Sequence, residues 1–109
     1  MKLVVVIIHD EDSQKLVDQL TDQNYGVTKL ASTGGFLSSG NTTLLVGVEK
    51  EKLDNVIDII KETCKSRKEM VPTPAPIMGS VGILTAYPIE VNIGGATIFV
   101  LDVDRFEKA

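Results

Sequence analysis

The segment Leu3-Val-Val-Val-Ile-Ile8 is apolar at six consecutive positions and β-branched at five of them. It is too short to stand as an independent helix, and a strand sends alternate side chains to opposite faces. It therefore reads as a strand buried on both faces. Ile98-Phe-Val-Leu101 repeats the pattern near the other end of the chain. Two stretches between them carry a helical period. Leu16, Val17 and Leu20 form one stripe, ending near Asn24 before Gly26, and Leu53, Val56, Ile57, Ile60 and Cys64 form a second at spacings of three and four. Residues 27–33 and 42–48 read as further strands. The order is β-α-β-β-α-β in a single domain over residues 1–109, which predicts an α+β, ferredoxin-like sandwich with two helices on one face of an antiparallel sheet. Two helices cover only that face. The other face is apolar as well, and without a third helix the economical cover is another copy of the chain, so an obligate oligomer is expected.

Several classes are excluded by charge and composition. A net charge of −4 argues against a nucleic-acid polymer or an anionic membrane as partner, because both require a cationic surface. The longest apolar run, of six residues, falls far short of the ~20 that span a bilayer. It also lacks the cleavage site of a signal peptide, so a cytoplasmic location is expected. Cys64, the single cysteine, cannot form an internal disulfide. Pro72, Pro74, Pro76, Gly79 and Gly82 make residues 67–87 read as a long loop. Ile89-Glu-Val-Asn-Ile93 and residues 96–103 flank Gly94-Gly95, a C-terminal hairpin signal elaborating the last strand.

The segment richest in chemistry is Thr33-Gly-Gly-Phe-Leu-Ser-Ser-Gly-Asn-Thr-Thr43, the loop over residues 34–41 with its flanks. Gly35, Gly40, Asn41 and Thr42 nearly fit a phosphate-binding P-loop. Asn41, however, stands where that motif needs lysine, and a strand follows where it needs a helix. Glycine backbone offers exposed amide donors. Phe36 can stack on a planar ring, and Asn41 carries the donor–acceptor pair that matches an adenine edge. Gly47 leaves room for a flat ligand against the third strand. The plainer alternative, a tight turn with Phe36 plugging the edge of the core, fits these residues equally well. His9-Asp-Glu-Asp-Ser13 reads as helix capping more readily than as an acid–base or metal site. No nucleophile–base pair or metal cluster stands out, so the chain reads as a binder and not an enzyme, with no cofactor.

Asn24, Thr28-Lys-Leu-Ala-Ser-Thr-Gly-Gly-Phe-Leu37, Gly40-Asn-Thr-Thr43, Gly47-Val48, Tyr87-Pro88, Gly94-Gly-Ala-Thr97 and Phe99-Val-Leu-Asp-Val103 together resemble the PII-like cyclic di-AMP receptors of Gram-positive bacteria. The likeness extends over essentially the whole chain. It implies a PII-like homotrimer with three cyclic di-AMP sites between subunits. One adenine would enter a pocket built from Gly35, Phe36, Leu37, Asn41 and Gly47. Asn24, Val27 and Thr28 would lie alongside, and Phe99 of the neighbouring subunit would close the site. Loop rearrangement would then relay the signal to a downstream protein that the sequence does not identify. Gly26 stands where the family often carries a basic residue, and Lys108 where it commonly carries an uncharged polar one. The alternative is a PII-type regulator sensing ATP or another metabolite, against which stands the scarcity of arginine, only Arg67 and Arg105.

Overall fold

The structure, a computed structural model, describes residues 1–30, 40–72 and 88–109. The elements are β1 (Lys2–His9), α1 (Asp10–Asp22), β2 (Val27–Leu30), β3 (Asn41–Val48), α2 (Leu53–Thr63), β4 (Arg67–Pro72), β5 (Pro88–Ile93) and β6 (Ala96–Asp102), with a 3-10 turn over Lys50–Lys52 leading into α2. Four strands form one sheet in the order β2-β3-β1-β6. Every neighbouring pair in it is antiparallel. With β6 in the place of the fourth strand, this is the ferredoxin-like arrangement expected from the element order. Among the described residues, β4 and β5 form a second sheet.

Period-2 alternation decides which residues of the central strands meet the helices. Val4, Val6 and Ile8 of β1 and Leu44, Val46 and Val48 of β3 are buried, together with Leu16 and Leu20 of α1 and Val56, Ile60 and Cys64 at α2 and its end. Burying each aliphatic side chain stabilises the fold by about 1.5–3 kcal/mol. The Cys64 thiol is pushed up to about 11, chiefly by this burial and secondarily by the Asp12 carboxylate. It behaves as a small apolar core residue.

The start of α1 differs from the expected side-chain cap. His9 holds the N-cap position in an extended conformation without a side-chain cap bond, and Asp10, Glu11 and Asp12 occupy the first turn. There they complement the positive end of the helix dipole and bind other elements. The Thr42 hydroxyl donates to Asp10 Oδ1. Arg67 at the start of β4 donates from Nη2 to Asp12 Oδ1 at 3.0 Å. That hydrogen bond is the main reason the Arg67 guanidinium is held above its ordinary range.

Two expectations about the C-terminal third are corrected. The hairpin between residues 89–93 and 96–103 does not form, because β5 pairs with β4 and β6 pairs with β1. Gly94 and Gly95 do turn the chain, both at positive φ. The turn, however, seats against the end of α2, where Gly95 N–H donates to the Cys64 carbonyl. That contact sets Ile93 opposite Arg67 and starts the β4–β5 ladder. The second correction concerns the loop over 67–87, whose first six residues are β4. The rest of it, residues 73–87, lies outside the described residues, as do residues 31–39.

Candidate functional site

The register defines the sheet face that turns away from the helices. Leu3, Val5 and Ile7 of β1 stand opposite Gly47, Leu45 and Thr43 of β3. On the other side the same residues stand opposite Leu101, Phe99 and Thr97 of β6. Thr28 of β2 pairs with Leu45. No described helix covers this face. Phe99 keeps 53% and Leu101 49% of its surface exposed, a contiguous apolar area of the kind that marks a binding or association surface.

At one end of this face lies a groove of about 600 Å³, within the size range of small-molecule sites. Its floor is Leu3, Leu45 and Gly47, and one side is Gly26, Val27 and Thr28 at the entry to β2. Met1, Val103, Phe106 and Lys108 form the other side. The local sequence explains the opening. A Cβ placed on Gly26 or Gly47 would meet nothing within 4 Å. Both positions thus present bare backbone to the groove, whose floor is apolar. Its polar groups are the Thr28 hydroxyl, backbone amides and the Lys108 ammonium. This combination suits a planar, partly apolar ligand that also carries negative charge.

The expected site residues divide between this groove and other places. Val27, Thr28 and Gly47 are brought together in it. Asn24 sits just before it, exposed in the turn after α1 at φ 66°. Phe99 shares the open face without lining the groove, two strands from Leu45 through Val5. Asn41 begins β3, six residues from Gly47, and at ~3.4 Å per strand residue the two stand about 20 Å apart. Asn41 is not among the described residues that line this groove. Gly35, Phe36 and Leu37 lie outside the described residues.

The groove also contains residues the sequence reading passed over as ligand groups. Leu3 and Leu45 read as core, and only the register shows that they face away from the helices. Phe106 lies beyond the last periodic segment, where no pattern points to it; its signal is an aromatic residue in a charged tail. His9, considered for acid–base chemistry, accepts a hydrogen bond at Nδ1 from the Gly94 N–H at 3.2 Å. It thereby fixes the turn between β5 and β6. Among the described residues no cluster of His, Cys, Asp or Glu could hold a metal ion, and no helix is long and apolar enough to cross a membrane.

Fold and groove define a small α+β ligand-binding domain, built on a four-stranded antiparallel sheet with its described helices on one face. The chain belongs to the cyclic-di-AMP receptor family, whose model matches residues 1–109, all of this sequence. It is also similar to the crystal structure of a functionally unknown protein from Pediococcus pentosaceus ATCC 25745. The two are 45% identical with a TM-score of 0.75, over 99% of this chain and 96% of that one.

Proposed function

We infer that this protein is a non-enzymatic second-messenger receptor that binds cyclic di-AMP where subunits of a homotrimer meet. Membership of the cyclic-di-AMP receptor family supports the ligand. The observation that carries the reading is the groove on the uncovered apolar face, with Thr28 and the bare backbone of Gly47 in its wall. One adenine lies against Gly47, with Val27 and Thr28 at its edge and Asn24 beside it. Gly35, Phe36, Leu37 and Asn41 build the rest of that adenine pocket. Phe99 of the neighbouring subunit closes the site, in keeping with its place outside the groove of its own protomer.

The open face supports association between copies of the chain. Val5, Ile7, Phe99 and Leu101 need a cover that the two helices do not supply, and a second copy supplies it with matching chemistry. The energetics of binding also favour a site shared between subunits. Micromolar affinity takes about 8 kcal/mol. One stacked base and one bidentate carboxamide pair provide ~2–6 kcal/mol between them. The neighbouring subunit and backbone amides directed at the phosphates contribute the remainder. The ligand-loaded trimer then relays the signal to a protein partner through rearrangement of its loops.

Calorimetric titration tests this reading, with cyclic di-AMP, ATP and cyclic di-GMP run in parallel. Saturable heat with cyclic di-AMP, at one ligand per subunit, is the expected result. No heat with cyclic di-AMP at high micromolar ligand would refute it, and heat with ATP alone would establish the metabolite-sensing alternative.

A further inference from the structure

The turn between α1 and β2 is tied to the start of α2. Asn55, in the first turn of α2, donates from Nδ2 to the Tyr25 hydroxyl at 2.6 Å and to Gln23 Oε1 at 3.0 Å. A carboxamide nitrogen carries two hydrogens, so it serves both acceptors at once. Backbone bonds close the same turn. The Asn24 N–H donates to the Thr21 carbonyl at 2.9 Å and the Tyr25 N–H to the Leu20 carbonyl at 3.0 Å. The Tyr25 side chain also packs against the hydrophobic core.

The residues that follow, Gly26, Val27 and Thr28, form one side of the groove, whereas no described residue of α2 lines it. β2 has four residues and lies at the edge of its sheet, next to β3. Its ladder begins at Val27, opposite Val46. Gly26 therefore joins the ladder to the turn, and a glycine leaves such a joint conformationally free. Tyr25, held at its ring by the core and at its hydroxyl by Asn55, removes that freedom from the turn side. The direction in which Gly26, Val27 and Thr28 meet a ligand is then set before binding, which spares the ligand the cost of ordering them.

We propose that Asn55 and Tyr25 are positioning residues for the ligand site: from outside the groove they clamp the turn that carries Gly26, Val27 and Thr28, and so preset one wall of the groove for the bound nucleotide. The proposal rests on the reading of the groove as the cyclic di-AMP site. It adds a determinant of affinity on a helix that does not line that site.

The test is calorimetry with cyclic di-AMP at room temperature on wild type, Tyr25→Phe, Asn55→Ala and the variant carrying both changes, with thermal unfolding of each without ligand. Tyr25→Phe keeps the ring against the core and removes only the hydroxyl. One ordinary hydrogen bond corresponds to a factor of about 2 to 12 in an equilibrium constant. Each single variant is expected to bind more weakly within that range while still folded. The double variant is expected to bind no more weakly than Asn55→Ala, because the two side chains form one clamp. Losses that multiply in the double variant would overturn the clamp. Single variants that match wild type in affinity would overturn it too, even with lowered melting temperatures, since the bonds would then serve folding alone; the site reading would survive. If wild type takes no cyclic di-AMP, the site reading itself fails and this proposal fails with it.

Discussion

The turn at Gly94-Gly95 provides a sharp test of how the second sheet is anchored. Both residues sit at nearly the same positive φ, +89° and +90°. An L side chain held in that region costs about 1–3 kcal/mol. Their surroundings differ. A Cβ on Gly95 would come no closer than 3.9 Å, to Ser66 Cβ. A Cβ on Gly94 would lie 2.6 Å from the Lys65 carbonyl oxygen and 2.7 Å from Arg67 Nη1. Gly95→Ala therefore reports the conformational cost alone, whereas Gly94→Ala adds a clash with backbone that cannot rotate away. Relief requires moving the start of β4, which strains the Arg67–Asp12 pair and the hydrogen bond from Gly94 to His9. Losing one such bond costs about 1 kcal/mol. At roughly 4–8 °C per kcal/mol for a domain this size, Gly94→Ala should melt at least about 5 °C below Gly95→Ala. The assay is circular dichroism melting of both variants at equal protein concentration, since association of subunits would also raise the midpoint. Equal midpoints, or a more stable Gly94→Ala, would refute the packing described for this turn.

Other perturbations follow from the same contacts. Arg67→Ala leaves the Asp12 carboxylate, only 5% exposed, without its cation; urea unfolding should show a lower midpoint than wild type, with the slope unchanged. The Cys64 thiol, at about 11 in the fold, ionises more readily once unfolded, so the folded state holds the extra proton above pH ~9 and stability should fall as pH rises toward 11. Cys64→Ala should remove that alkaline component, and the native wild-type thiol should resist a disulfide reagent at pH 8 until the chain unfolds. Leu101→Glu puts a charge into the open face, and light scattering should then give the 11.8 kDa mass of one chain where wild type gives three times that.

Local patterning made much of the fold legible. The run Leu3–Ile8 and the three-and-four spacing from Leu53 to Cys64 each fixed an element type, because burial on a strand or a helix leaves a period in the sequence. The β4–β5 pair left almost none. Arg67, Lys68 and Glu69 carry no alternation, and the strand ends in proline, so nothing local separates it from a loop. The Gly94-Gly95 signal gave the turn correctly and the partners wrongly, since pairing is decided by contact with the end of α2, far away in sequence. The site shows the same division. Thr28 and Gly47 were reachable through resemblance, and Gly47 also through its missing side chain. Leu3, Leu45 and Phe106 converge on them only when the register brings β1, β3 and the tail together.

The central claim is that cyclic di-AMP sits in the groove between the start of β2, the end of β3 and the C-terminal tail. Amide chemical-shift mapping on isotope-labelled protein examines it directly. Adding cyclic di-AMP should move the Thr28 and Gly47 amides, together with those of Phe106 and Lys108. Shifts confined to β4 and β5, with the Thr28 and Gly47 amides unmoved at saturation, would contradict it.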